Sequence, residues 1–125
     1  MLVHKHLIIR AEVARPPMAP GMVEEWLEEL VSRIGMKVLS GPHAEYVTVP
    51  GNRGVTGVVI IETSHIAMHV WDETEPSLMQ LDVYTCGPFD PNIVFDALAE
   101  FEPVKLEYKY LDREHGLTEV LIDDS

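Results

Sequence analysis

Several kinds of residue are scarce in this chain of 125 residues, and each scarcity excludes something. Cys86 is the only cysteine, so no disulfide can form within the chain. No window reaches the roughly 18 consecutive apolar residues of a membrane span, and residues 1–6 lack the apolar run of a signal peptide. We therefore expect a soluble protein of the cytoplasm.

Basic residues are also scarce, since nine Lys and Arg stand against 21 Asp and Glu, a formal net charge of −12. No cluster of basic side chains could follow a phosphate backbone, so nucleic acid is not an expected partner. The acidic surface serves solubility first, and it also favours a small cationic amine as substrate.

Helical spacing of apolar residues predicts two helices. The first runs from Met22 to Ile34, with its glutamates mostly on the other side, and Gly35 ends it. The second begins with Asp90 as its cap and Pro91 as its first residue, and a proline at 103 closes it.

Alternating or β-branched apolar residues predict strands along the rest of the chain. The predicted strands are Leu7–Val13, Met36–Leu39, Glu45–Val49, Val55–Glu62, His65–Trp71, Met79–Cys86 and Val104–Tyr110. Proline and glycine break the chain in the loop over 16–21 and in a turn at Ser40–His43. The polar segment Asp72–Pro76 joins two strands as a hairpin loop, and we expect the acidic tail after Glu114 to be loose.

These elements do not alternate as strand and helix, so a parallel sheet is not expected. We predict one α+β domain over residues 1–125: a two-layer sandwich whose mainly antiparallel sheet carries two helices on one face. The second face needs cover, which a second copy of the chain could supply. A domain this small gains stability from such association.

Reactive side chains are concentrated in the segment 56–87, which holds Thr56, Ser64, His65, His69 and Cys86. Each polar group buried without a partner costs on the order of 1–3 kcal/mol, so strands rarely carry this many without a reason. This concentration indicates catalysis.

A metal site is not expected among the histidines. His65 and His69 lie on one alternating strand, where residues four apart are separated by about 13 Å and cannot share an ion. We interpret His4 and His6 as surface residues of a frayed terminus.

The segment from Thr56 to Gly87 resembles the S-adenosylmethionine decarboxylase family, in its small prokaryotic, pyruvoyl-dependent type. The family pattern is Ser-Gly, a hydrophobic run, Glu-Ser-His-x-x-x-His-Thr-Trp-Pro-Glu, and later Asp-x-x-Thr-Cys-Gly. The matching segments here are Thr56-Gly57, Thr63-Ser64-His65-Ile66-Ala67-Met68-His69-Val70-Trp71-Asp72-Glu73 and Asp82-Val83-Tyr84-Thr85-Cys86-Gly87. Weaker similarity in the order of elements extends to most of the chain, including His6-Leu7.

The resemblance implies that the chain cuts itself between Thr63 and Ser64, into fragments 1–63 and 64–125. Ser64 would become a covalent pyruvoyl group, which forms a Schiff base with a substrate amine and accepts electrons as carbon dioxide leaves. It also implies a homodimer of processed protomers with active sites near the shared interface, acting on S-adenosylmethionine for spermidine synthesis.

The resemblance also assigns roles. His69 would promote processing by proton transfer, assisted by the Thr56 hydroxyl, and the Cys86 thiol would return a proton to the decarboxylated carbon. Substrate would be held by Glu73, Trp71 and Tyr46.

Three departures from the family pattern bear on these roles. Thr63 replaces the glutamate before the cleavage serine, Asp72 replaces the proline of Trp-Pro-Glu, and no aromatic residue directly precedes the Pro50 turn, where the family stacks adenine. Loss of that stacking would forfeit on the order of 1–3 kcal/mol, so arginine or ornithine is an alternative substrate. A further alternative is an unprocessed, non-catalytic ligand-binding protein.

Overall fold

Apolar residues of the predicted strands and helices form one core in the computed structural model, which describes residues 3–122. The strands are β1 (Lys5–Val13), β2 (Val38–Val47), β3 (Gly54–Ile61), β4 (Ser64–Trp71), β5 (Ser77–Thr85), β6 (Pro103–Asp112) and β7 (Thr118–Glu119). The helices are α1 (Pro20–Arg33) and α2 (Pro91–Leu98), and a 3₁₀ helix (Ala99–Phe101) follows α2.

All of these strands belong to one sheet, in the order β2-β3-β4-β5-β1-β6-β7. Every pair of neighbours is antiparallel. The predicted α+β class, with its mainly antiparallel sheet, is therefore confirmed.

Both helices pack on the same face of the sheet. Helix α1 approaches β3 at Gly57, where a Cβ atom would lie 2.6 Å from the Val23 side chain. Trp26 of α1 is buried, and its indole N–H donates to the Ala97 carbonyl of α2 at 3.1 Å. The Asp90 carboxylate accepts from the backbone N–H of the second helical residue at 3.0 Å, which confirms the predicted cap. Neither helix in the described part is long and apolar enough to cross a membrane.

The prediction of two short strands around a turn at Ser40–His43 is wrong, because β2 runs through this segment. The pairing with β3 shifts register between Val38 and Ser40 and again between Ser40 and His43. Strand β2 lies at the edge of the sheet, and there Pro42, which has no N–H to donate, is tolerated.

Two further boundaries differ from the sequence prediction. Helix α1 starts at Pro20, inside the predicted loop, because the fixed φ of proline suits a first helical turn. The tail is not loose throughout, since Thr118–Glu119 pairs with β6 and the Val120 N–H donates to the Tyr110 carbonyl at 2.8 Å. Residues 123–125 lie outside the described part.

The opposite side of the sheet carries no helix within residues 3–122, and we call it the open face. Its apolar residues include Ile8, Val58 and Ile60, which are 39%, 39% and 47% exposed. His65, Ala67, His69 and Trp71 of β4 alternate onto the same face. The expectation that a second copy covers this face remains a prediction.

Candidate active site

The tight turn between β3 and β4 holds the predicted cleavage bond. Ile61 pairs with Ser64, so only Glu62 and Thr63 form the turn. Ser64 has a backbone φ of 136°, a value that residues other than glycine rarely adopt. Such a conformation costs on the order of 1–3 kcal/mol, so backbone strain lies directly after the Thr63–Ser64 bond.

The carbonyl of Thr63, which cleavage would attack, is already held by a hydrogen-bond donor. The backbone N–H of Cys86 donates to this oxygen at 2.7 Å. The contact arises because Ser64 pairs with Thr85, the last residue of β5. A backbone N–H in this position stabilises negative charge that develops on the oxygen during attack.

Two more contacts fix the same turn from the segment between α1 and β2. The Thr63 hydroxyl donates to the sulfur of Met36 at 3.0 Å, and the Glu62 N–H donates to the Lys37 carbonyl at 3.0 Å. The neighbouring Thr85 hydroxyl donates to the Gly87 carbonyl. We call Met36, Thr63, Ser64, Cys86 and Gly87 the cleavage corner.

Thr56 and His69 form a second group on the open face. They are partners across the β3–β4 pairing, and Thr56 Oγ1 lies 2.9 Å from His69 Nδ1. If the hydroxyl donates, the imidazole proton resides on Nε2, on the side away from Thr56. The ring of His69 lies 6.0 Å from that of Trp71.

The structure does not bring this pair to the cleavage corner of the same chain. His69 lies five residues beyond Ser64 on β4, a distance of about 16 Å. By strand alternation Ser64 also belongs with the buried residues Ile66 and Met68, whereas His69 is on the open face. One chain thus assembles Ser64 with Cys86 and Thr56 with His69, at different places.

The three predicted substrate-binding residues lie at the far end of β3 and β4. Each ties the β2–β3 turn or its flanking strand to the loop after β4. The contacts are Trp71 Nε1 to Asn52 Oδ1 at 2.7 Å, Tyr46 Oη to Asp72 Oδ2 at 2.7 Å, and the Gly51 and Arg53 N–H groups to Glu73 at 3.1 and 3.2 Å.

These contacts also shift the pKa values of Glu73 and Tyr46. The backbone N–H groups of Arg53 and then Gly51 hold the pKa of Glu73 below its ordinary value. The hydrogen bond to Asp72 raises the pKa of Tyr46. Both side chains therefore organise the loops beside the Thr56–His69 pair, and direct contact with substrate remains a prediction.

A polar network beside the cleavage corner was not predicted. His6 lies in β1, not in a frayed terminus, and its Nε2 is 3.1 Å from Asp82 Oδ1. Arg113 donates to His6 Nδ1 at 3.3 Å and lies 4.1 Å from the centre of the Tyr84 ring. Because Nδ1 accepts, the His6 proton is on Nε2 and points to the carboxylate. The ring of His65 packs edge-on against Tyr84 at 5.7 Å.

We expect the His6–Asp82 contact to stabilise the fold in a pH-dependent way. The hydrogen bond from His6 holds the pKa of Asp82 below its ordinary value, against the opposing effect of partial burial. A carboxyl whose pKa is lower in the folded state stabilises the fold at pH values above its ordinary pKa. This stabilisation is lost as the pH falls through the pKa of the folded state. Asp82→Asn should therefore lower Tm at pH 7 by a few degrees and make little difference near pH 2. A difference that grows on acidification, in thermal unfolding followed by circular dichroism, would contradict this assignment.

Known proteins resemble this chain in sequence and in fold. A family model described as S-adenosylmethionine decarboxylase matches residues 6–114. The chain belongs to the S-adenosylmethionine decarboxylase family. A crystal structure of the adenosylmethionine decarboxylase from Aquifex aeolicus superposes with a TM-score of 0.67 and 26% identity, covering 98% of both chains.

Two relatives align over most of their length. One, from Aeropyrum pernix, is named an arginine decarboxylase proenzyme and is 32% identical over 122 residues, 94% of this chain and 89% of the relative. The other, from Archaeoglobus fulgidus, is named an S-adenosylmethionine decarboxylase proenzyme and is 29% identical over 119 residues, 90% of this chain and 99% of the relative. The family is thus established, while relatives carry names for two different substrates.

Proposed function

We propose that this chain is a proenzyme that cuts itself between Thr63 and Ser64 and then acts in the cytoplasm as a pyruvoyl-dependent decarboxylase of S-adenosylmethionine, supplying spermidine synthesis. The observation that carries the proposal is the 2.7 Å hydrogen bond from the Cys86 N–H to the Thr63 carbonyl. This donor lies beside a serine whose backbone is strained. The proenzyme names of both relatives support the same interpretation.

The proposed cleavage begins when Ser64 Oγ bonds to the carbonyl carbon of Thr63. The hydroxyl proton leaves, and the carbonyl oxygen takes the negative charge under the Cys86 N–H. The carbon–nitrogen bond then breaks and the nitrogen takes a proton, so an ester replaces the amide. Loss of the Ser64 Cα proton expels the Thr63 carboxylate, and addition of water with release of ammonia leaves a ketone at position 64.

Ser64, as the precursor, and Cys86, as the neighbouring thiol, suit a pyruvoyl group at position 64. The chemistry that it supplies is condensation with a substrate amine and acceptance of the electron pair released with carbon dioxide. Cys86 is half-buried and directly follows Thr85, the strand partner of Ser64, which supports a role for its thiol in returning a proton to the substrate carbon. A thiol is one of the side chains that can act as a general acid.

Cys86→Ala should leave cleavage largely intact while lowering decarboxylation at least about 100-fold, the usual scale for loss of a general acid. Cleavage survives because the oxyanion donor is the backbone N–H, which alanine retains. Intact mass would report the cut, and release of labelled carbon dioxide would report turnover. Turnover at the wild-type rate would show that the thiol does not take part in the reaction.

We further propose that the working unit is a homodimer. Within one chain Thr56 and His69 lie about 16 Å from Ser64, too far for proton transfer. The exposed apolar residues Val58 and Ile60 lie on the same open face as His69. Two copies packed antiparallel through this face would lay the His69 end of β4 of one chain over the Ser64 end of β4 of the other.

Arginine is the second candidate substrate. Two observations favour it: the name of the Aeropyrum pernix relative, and the lack of an aromatic residue directly before Pro50, since Val49 stands there. Both candidate substrates carry an α-amino group and a second positive centre, which suits a chain with a net charge of −12.

A direct comparison of carbon dioxide release by the cut protein would decide the substrate. We expect kcat/KM for S-adenosylmethionine to exceed that for arginine and ornithine by about 100-fold or more. The reverse order would assign the protein to arginine or ornithine decarboxylation.

A further inference from the structure

Thr63 stands where the family places a glutamate, and the structure gives this threonine a specific partner. Its hydroxyl donates to the sulfur of Met36 at 3.0 Å, and both side chains are half-buried. A free threonine hydroxyl commonly bonds to its own or neighbouring backbone groups. Here the Thr63 hydroxyl bonds to the Met36 sulfur instead of a backbone group.

Met36 is itself fixed by the end of helix α1. Its backbone N–H donates to the Val31 carbonyl at 2.9 Å, directly after Gly35, whose φ of 79° reverses the chain. The next residue, Lys37, accepts from the Glu62 N–H at 3.0 Å. The backbone at Met36 is therefore held close to the β3–β4 turn, within reach of the Thr63 hydroxyl for its sulfur.

Met36 also reaches the Cys86 side of the cleavage corner. A Cβ atom built on Gly87 would lie 3.3 Å from the Met36 terminal methyl and 3.4 Å from the Thr63 methyl. Gly87 is buried and directly follows Cys86, whose N–H holds the Thr63 carbonyl. The thioether thus lies against Thr63 on one side and Gly87 on the other.

We propose that Met36 is a positioning residue for self-cleavage. By accepting the Thr63 hydroxyl, it fixes the orientation of Thr63 and keeps the carbonyl on the Cys86 N–H, where Ser64 can attack it. This inference rests on the proposed self-cleavage and gives the substituted threonine a function in it. Within residues 3–122 the hydrogen bond to the Met36 sulfur comes from Thr63 and not from Ser64, so we expect its effect at the cleavage step.

The test measures the rate of self-cleavage in the full chain, made by cell-free translation and followed as the cut fraction over time. Met36→Leu keeps the volume but loses the sulfur, and Thr63→Val keeps the shape but loses the hydroxyl. Each should slow cleavage by about three- to tenfold, as expected for one modest hydrogen bond. Thr63→Ser retains the hydroxyl and should cleave within about twofold of the natural chain. Met22→Leu, at a 52% exposed methionine of α1, is the matched control.

The double variant separates hydrogen bonding from packing. If the hydroxyl–sulfur contact is the cause, Met36→Leu with Thr63→Val cleaves about as slowly as either single variant, since each removes the same interaction. Once cut, every variant should release carbon dioxide at the natural rate per ketone group, which a general loss of structure would not permit.

If the natural chain is cut, any of three results would overturn the inference. Met36→Leu could cleave at the natural rate, or the two substitutions could slow cleavage independently, or the ketone-normalised turnover could fall together with cleavage. An uncut natural chain would overturn both this inference and the proposed function. A cut natural chain with an unaffected Met36→Leu variant would overturn this inference alone.

Discussion

Ser64→Ala should leave the chain whole and without measurable decarboxylase activity. Alanine provides no oxygen to attack the Thr63 carbonyl, so neither the ester nor the ketone can form. The fold should remain, because alanine keeps the Cβ atom of this half-buried first residue of β4. Removing the nucleophile of a covalent catalyst eliminates the route through its intermediate altogether.

Intact mass and carbon dioxide release would check this result together. Ser40→Ala replaces an exposed serine of β2 and should cleave and turn over normally, which controls for loss of a hydroxyl elsewhere. Fragments formed from the Ser64→Ala chain would place the cut at another bond. A whole chain that still decarboxylates would mean that position 64 does not carry the reactive group.

Mixing two inactive variants should restore activity, because each site is expected to combine Ser64 of one chain with His69 of the other. Ser64→Ala and His69→Ala alone should both be inactive. In a heterodimer of the two, one site has lost both residues while the other is intact. Random association in equal amounts then gives about a quarter of the natural activity, since half of the dimers carry one working site of two.

The measurement is carbon dioxide release after the two chains are co-produced and purified together. His43→Ala, at an exposed histidine of β2, should be active alone and serves as the control for histidine loss. Activity no higher than that of the separate variants would mean that Ser64 and His69 act within one chain. Such a result would require β4 to deform, because its regular pairing with β3 and β5 keeps the two residues apart.

The sequence predicted most of the fold because its signals are local. The spacing of Val23, Trp26 and Leu30 placed α1 and its buried side, and the Asp90-Pro91 pair placed the start of α2. The continuity of β2 was not predictable in the same way. Gly41 and Pro42 indicate a turn locally, and only the position of β2 at the sheet edge allows a strand to pass through them.

The site was predictable in part. The motif pattern predicts Ser64 and Cys86 in one site, and the register of β4 with β5, which pairs Ser64 with Thr85, brings Cys86 close to Ser64. Met36 and the His6–Asp82 pair were missed, because their partners are 27 and 76 residues away in the chain and no spacing rule joins them. The separation of His69 from Ser64 could be predicted from strand alternation, because residues an odd number apart in a strand lie on opposite faces of the sheet.

The central claim is that the chain cuts itself before Ser64. The most direct measurement is the intact mass of the purified, denatured protein, with parallel samples treated with borohydride or hydroxylamine to reveal a ketone. We predict two fragments, residues 1–63 and a second fragment from position 64 onward that carries a reactive carbonyl at its first residue. A single uncut chain with no reactive carbonyl would contradict self-cleavage and would favour a non-catalytic ligand-binding protein.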